Sequence, residues 1–314
     1  MRKFVNLFIN LSKIEALYIY GGLSILYLIL VFVLPVNQDT LQTYNLSSTA
    51  YHVILFAAAI PTLIIWLTAF YAATELGRYA KLVKTSKEGR YYIRIAQGIG
   101  ILAWSLPIVA IISLVLSSIA NANSDLDKFS IVTTNYIYVF FPLFAFSILN
   151  NGSHGLLKQV KIFDNSFVSR LFALTFIIIS ATYCLLVFRQ VQLDETRIAN
   201  PPYYLPAWVL LFTLTIPMIY SWFVGALSAY EIAIYSYKVK GVFYKKALLF
   251  IALGIFAVVF SLIAQQYITS IQPRVGHLVV NYALIVNIVF RLIGAIGFIM
   301  LAYGATKLRR LEEL

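Results

Sequence analysis

Charged residues are few. Only 11% of the 314 residues are Asp, Glu, Lys or Arg, where a soluble domain carries about 25%. A water-facing surface needs more than that, so a soluble globular fold is excluded and much of the chain must face lipid. Cysteine is nearly absent. The single Cys184 lies in an apolar run, cannot close an intrachain disulfide and has no companion for a CxxC metal or redox site. It reads as a small apolar helical residue. There are three histidines, with His52 and His277 at the outer ends of apolar segments and His154 just after another. A membrane haem needs axial ligands paired across helices, and headgroup-level histidines are a weak basis for one. No HExxH, CxxC, Walker or GxSxG sequence occurs, and no loop is long enough to fold as a soluble domain. These absences favour a non-enzyme over an enzyme without deciding it, and no catalytic residue, metal ligand or cofactor is expected from the motifs, with quinone entering only under one alternative below.

Apolar residues, by contrast, make up 61% of the chain, and the mean hydropathy is +0.86. A membrane-spanning helix needs about 20 mainly apolar residues, and eight segments qualify: roughly 14–36, 50–77, 93–119, 131–151, 168–189, 205–235, 246–270 and 277–305. Arg2 and Lys3 precede the first as in a signal peptide. Its apolar run is too long for one and no small-residue cleavage site follows, so it is read as a retained helix. The net charge of +12 would point to nucleic acid in a soluble protein. Here the basic residues cluster in short loops instead. Nineteen Lys and Arg fall on one side, six of them in the second loop (Arg78, Lys81, Lys84, Lys87, Arg90, Arg94). Only Lys128, Arg189, Arg197 and Arg274 fall on the other. The positive-inside rule then places both termini in the cytoplasm, and the short loops suit a bacterial or archaeal plasma membrane. Asn45-Leu46-Ser47 fits a glycosylation sequon, which matters only in a eukaryote, and residues 311–314 read as a frayed helix end.

The chain also resembles itself at an offset of 156 residues. Ser24, Tyr27 and Leu30 match Ser180, Tyr183 and Leu186. Ile60-Pro61, Trp66, Ala73, Glu75, Tyr79 and Lys84 match Ile216-Pro217, Trp222, Ala229, Glu231, Tyr235 and Lys240. Apolar bias produces Ile and Leu matches but not Pro, Trp, Glu and Tyr in register. The last helices align with a shorter shift, Asn135-Tyr136 on Asn281-Tyr282, which sets Ala145 in the place of Arg291. The fold class that follows is an all-α polytopic membrane protein of eight transmembrane helices. It divides into two four-helix repeats, 1–158 and 159–314. Four is even, so the repeats run parallel and their pseudo-twofold axis lies along the membrane normal.

The second and sixth spans share I-P-x4-W-x8-E-x3-Y. Pro61 and Pro217 remove a backbone donor and predict a kink. Ala69, Ala73 and Gly77, and Gly225, Ala229 and Ala233, form small-residue faces that predict contact between these two helices. Glu75 and Glu231 point away from those faces, about 21 Å beyond the prolines, near the cytoplasmic end of the hydrocarbon. Tyr79 and Tyr235 lie one turn on, placed to donate to the carboxylates. Arg291 sits deep in an apolar stretch, where an unpaired arginine costs at least roughly 2.5–3.5 kcal/mol. It is expected to face the bundle and pair with Glu231 or Glu75.

Three functions fit this pattern. A transporter or channel for a small solute or ion would use Glu75, Glu231, Arg291, Tyr79 and Tyr235 for binding or coupling, with Pro61, Pro217, Ala73 and Ala229 setting kinks and packing. A quinone-binding membrane anchor of a redox complex is the second: eight helices in two four-helix bundles without haem ligands resemble, in topology alone, the membrane subunits of polysulfide- and dimethylsulfoxide-reductase-type complexes. The third is a non-catalytic scaffold or assembly protein. The expected partners are the lipid bilayer, an unidentified solute or ion, and a second copy or a membrane-complex subunit, with no nucleic acid.

Overall fold

A computed structural model describes residues 13–33, 47–122, 124–159, 211–271 and 277–313, with single positions between 174 and 185. Regular structure among the described residues is entirely helical. The long helices are α1 (Lys13–Val33), α2 (Ser48–Leu82), α3 (Gly89–Ala122), α4 (Ser124–Gln159), α5 (Ile216–Lys238), α6 (Val242–Ile271) and α7 (His277–Glu313). A π-helical turn, Leu211–Thr215, leads into α5.

Five stretches of these helices are long and apolar enough to cross a membrane: Ala59–Leu82, Gly89–Ile112, Phe212–Lys238, Val242–Gln265 and Ile288–Glu313. The exposed faces have the same character. On α2, Ile60, Ile64, Leu67 and Tyr71 face outward while Trp66, Ala69, Ala72 and Leu76 are buried. Phe250, Leu253, Phe256 and Phe260 form a similar outward stripe on α6. Apolar side chains on both the inner and the outer face of a helix mark a membrane span rather than a surface helix in water. The expected spans 14–36 and 131–151 lie on α1 and α4, which are not among the five. Within α1 the apolar stretch Tyr18–Val31 is a shorter one, and α4 carries Asn150, Asn151, Ser153 and His154 near its end. The expected span 168–189, with Tyr183 and Cys184, lies outside the described residues apart from the single positions.

Six helices close a ring in which α2 packs on α3, α3 on α4, α4 on α5, α5 on α6, α6 on α7, and α7 back on α2. Helix α1 leans on α2 and α3, pinned where the buried Tyr20 hydroxyl donates to the Ala103 carbonyl at 2.6 Å. Short connections make α2/α3 and α5/α6 antiparallel neighbours. In the second connection Gly241 adopts φ +110°, a left-handed conformation that costs glycine little.

The two closest seams are built on glycine. A Cβ on Gly98 would lie 2.7 Å from the Ala145 carbonyl oxygen and from Leu149, and one on Gly152 would meet the Tyr91 carbonyl and Ile95. These contacts lock α3 to α4. Between α6 and α7, Gly254 meets Gly297 and Leu301 in the same way, and Gly304 meets Ala247 and Ile251. Backbone-to-backbone approach of this kind gives the dispersion contact that drives helix association where lipid removes the hydrophobic difference. The seam glycines are spaced 156 residues apart from α3 to α6 (Gly98, Gly254) and 152 from α4 to α7 (Gly152, Gly304). Phe146, Leu149 and Leu156 thereby fall on Phe298, Leu301 and Leu308, all buried. This register differs from the Asn135-on-Asn281 alignment and sets Val139, not Ala145, opposite Arg291.

The seam expected between the second and sixth spans is not formed, since α2 and α5 occupy separate places in the ring and share no extended contact. Gly225 instead faces Phe146 of α4 and Val259 of α6. Ala229 is buried and Ala73 half-buried against the same core. Small-residue spacing marks a face that tolerates close approach but does not choose the partner, and the glycine pairs of the α3/α4 and α6/α7 seams allow a nearer one. The prolines also differ from each other. Pro61 lies within an α2 that continues from Ser48 to Leu82, while Pro217 falls at the start of α5, directly after the π turn. A missing N–H is tolerated at a helix start, and the change of winding absorbs it there.

Candidate functional site

The two carboxylates expected near one end of the bundle are both buried. Glu75 is 0% exposed and Glu231 2%. Each reaches across a seam to the next helix. From α2, Glu75 accepts a hydrogen bond from Arg309 Nε of α7 at 3.0 Å and lies 3.4 Å from the Thr306 hydroxyl. Arg78, one turn on along α2, donates to its other oxygen at 3.3 Å. From α5, Glu231 meets only α4 groups in its hydrogen bonds: Ser153 Oγ at 2.5 Å, Asn150 Nδ2 at 3.2 Å and His154 Nδ1 at 2.9 Å. Ser153 and Asn150 converge on Oε2, while the imidazole faces Oε1. His154 and Thr306 are offset by the same 152 residues as the glycine seams, so they meet their carboxylates from corresponding places.

The two surroundings differ in charge. Glu75 sits between two guanidiniums, which are permanently charged donors, and Arg309 is itself held by Glu313 at 2.7 Å. Glu231 sits among neutral donors and one imidazole, a ring that can both accept and donate a proton. The Glu231 side chain is 3% exposed, that of His154 41%.

Tyr79 and Tyr235 do not turn back on these carboxylates. The Tyr79 ring packs edge-on against Tyr92 of α3, with centroids 4.9 Å apart. Tyr92 also contacts the Tyr235 hydroxyl, which donates to Glu88 in the α2–α3 loop. One phenol from α2 and one from α5 thus join through a third and fill the space between them. A hydroxyl one turn from a carboxylate is free to choose a tertiary partner, and both do.

Arg291 lies elsewhere. It is half-buried on α7 and donates to the hydroxyl of Thr62, the residue after Pro61 on α2. Thr62 is thirteen residues from Glu75, roughly 20 Å along the helix, so the expected ion pair with Glu75 is out of reach. The depth that made Arg291 conspicuous is also what separates it from the carboxylates.

Of the residues that complete the two carboxylate sites, sequence reasoning passed over Ser153, His154, Thr306 and Arg309. Asn150, Ser153 and His154 are spaced i, i+3, i+4 and so share one helix face, a polar patch at the end of an apolar segment. That spacing was the available signal. Thr306 and Arg309 carry the same i, i+3 spacing but read as part of a basic helix end. Compared with protein-family models, with curated proteins and with solved structures, the chain matches none.

Proposed function

We propose that this chain is a multi-pass membrane transporter or channel for a small solute or ion. It is built from two parallel four-helix repeats, 1–158 and 159–314, about a pseudo-twofold axis along the membrane normal, with both termini cytoplasmic in a bacterial or archaeal plasma membrane. The matching glycine seams and the cyclic order of the helices support the repeat. The basic residues gathered at the Glu75 end support the orientation.

One observation carries the functional reading: each buried carboxylate bridges the two halves. Glu75 on α2 is held by α7, and Glu231 on α5 is held by α4. Binding sites of repeat-built transporters lie between repeats, where relative movement makes and breaks the site. Ionisable groups inside spanning helices are functional candidates by default. The unequal surroundings assign unequal roles. Glu75, clamped by Arg78 and Arg309, is an anchor. Glu231, with neutral partners and an imidazole, is the working carboxylate. Arg291 beside Thr62 supplies a positive charge toward the opposite end of the path.

The test is solid-supported-membrane electrophysiology on the reconstituted full chain. Concentration jumps of H⁺, Na⁺, K⁺ and Cl⁻ are applied, then a size-filtered extract of small metabolites. A current above that of protein-free membranes is expected for at least one of them. No current with any leaves the chain a scaffold and overturns the reading.

A further inference from the structure

We propose that Glu231 takes up a proton from the cytoplasmic solution through His154, and that Glu75 does not. This rests on Glu231 being the working carboxylate, and adds what binds there and by which door. The α4–α5 seam has the parts of a proton port. Glu231 is enclosed, whereas the open edge of that site is the His154 ring, whose side chain is 41% exposed. His154 lies five residues before the end of α4, about 8 Å along the helix axis. Its Nδ1 stands 2.9 Å from Glu231 Oε1, a distance for direct proton transfer. The second carboxylate oxygen is occupied by Ser153 and Asn150, leaving Oε1 to the imidazole.

The transfer balances simply. A solvent proton adds to Nε2 of the neutral ring, and the Nδ1 proton passes to Oε1. The ring is left neutral with its proton on Nε2, and one proton has moved from water to a buried carboxyl. A return through solvent exchange resets the tautomer. Among the described residues the other charged groups near this seam are Arg94 of α3, which donates to Asn151, and Lys158 one turn beyond His154, and neither appears in the hydrogen bonds of Glu231. From α4 the site receives only Asn150, Ser153 and His154. The buried residues of α6, the other helix packed on α5, are apolar apart from Ser261, and the next titratable groups are Tyr235 one turn on, with Tyr92 and Glu88 behind it. The corresponding place on α7 holds Thr306, whose hydroxyl has no basic nitrogen to hold an incoming proton and donates to the Ala302 carbonyl, and Arg309 offers only permanent charge.

Dicyclohexylcarbodiimide adds to protonated carboxyls in apolar surroundings, so it reads this difference without any transport assay. The full chain in detergent is treated across a pH series and the adducts are located by peptide mass spectrometry. Glu231 is expected to label about tenfold more than Glu75, the ratio that about 1.4 kcal/mol of difference in proton binding produces, with labelling falling as pH rises. In His154→Asn the amide nitrogen takes the place of Nδ1 and still donates to Glu231 but cannot carry a proton, and the pH profile is expected to shift. Modifying His154 in the folded native chain with diethyl pyrocarbonate should shift it likewise, so the test does not depend on a variant folding. Equal labelling of both carboxylates, labelling of neither, or an unchanged profile after both His154 treatments overturns the proposal. Selective labelling without any transport current leaves the proton site standing and removes the transporter reading. A current with equal labelling does the reverse.

Discussion

Arg309 Nε lies 3.0 Å from the fully buried Oε2 of Glu75, joining the C-terminal end of α7 to α2. Truncating one partner of such a pair strands the other charge, which costs about 3–5 kcal/mol. Arg78 remains beside Glu75 and lowers that cost. Arg309→Leu is therefore expected to destabilise by about 3 kcal/mol, and Glu75→Gln combined with Arg309→Leu by clearly less. Thermal or denaturant unfolding of the detergent-solubilised protein checks the order. Equal losses in the single and double variants would remove Glu75 from the role of anchor.

The glycine seams make a prediction of opposite signs. Gly254 has the Gly297 carbonyl oxygen 2.6 Å from where a Cβ would sit, while Gly100, also helical, has nothing within 4 Å. Gly254→Ala must push α6 and α7 apart and is expected to cost about 1–3 kcal/mol, as overpacking does. Gly100→Ala should be neutral or stabilise by up to about 1 kcal/mol through helix propensity. Melting temperatures of the two variants decide it.

The Arg291–Thr62 contact separates a functional charge from a structural one. Replacing a buried polar pair by apolar residues of similar volume is often neutral or stabilising by about 1–4 kcal/mol. The double variant Thr62→Val with Arg291→Leu is expected to melt no lower than the parent and to lose the transport current. A double variant that unfolds would make Arg291 part of the scaffold.

Much of the fold was legible because lipid imposes a simple rule, that every backbone group be paired within a helix and every outer face be apolar. The runs around Trp66, Ile99, Trp222, Ile255 and Leu301 obey it, and five of the eight expected spans coincide with helical stretches long and apolar enough to cross a membrane. Partner choice was less legible. The Ala and Gly spacing on α2 and α5 predicts a close neighbour but not which one, and the ring gives each of these helices two others. The carboxylates were found because charge inside an apolar run is conspicuous. Most of their partners were not, because Ser153, His154 and Thr306 are ordinary helix-end residues until another helix brings Glu231 or Glu75 against them. Tyr79 and Tyr235 show the same limit: spacing along a helix sets what a hydroxyl can reach, and packing decides what it takes.

On the proposed reading Glu231 is the working carboxylate and Glu75 the anchor. The most direct test compares ion-jump currents of the parent, Glu231→Gln and Glu75→Gln, each reconstituted at matched amounts of folded protein. Glu231→Gln is expected to fold normally and carry no current, while whatever Glu75→Gln survives as folded protein conducts as the parent does. A full current from Glu231→Gln would contradict it.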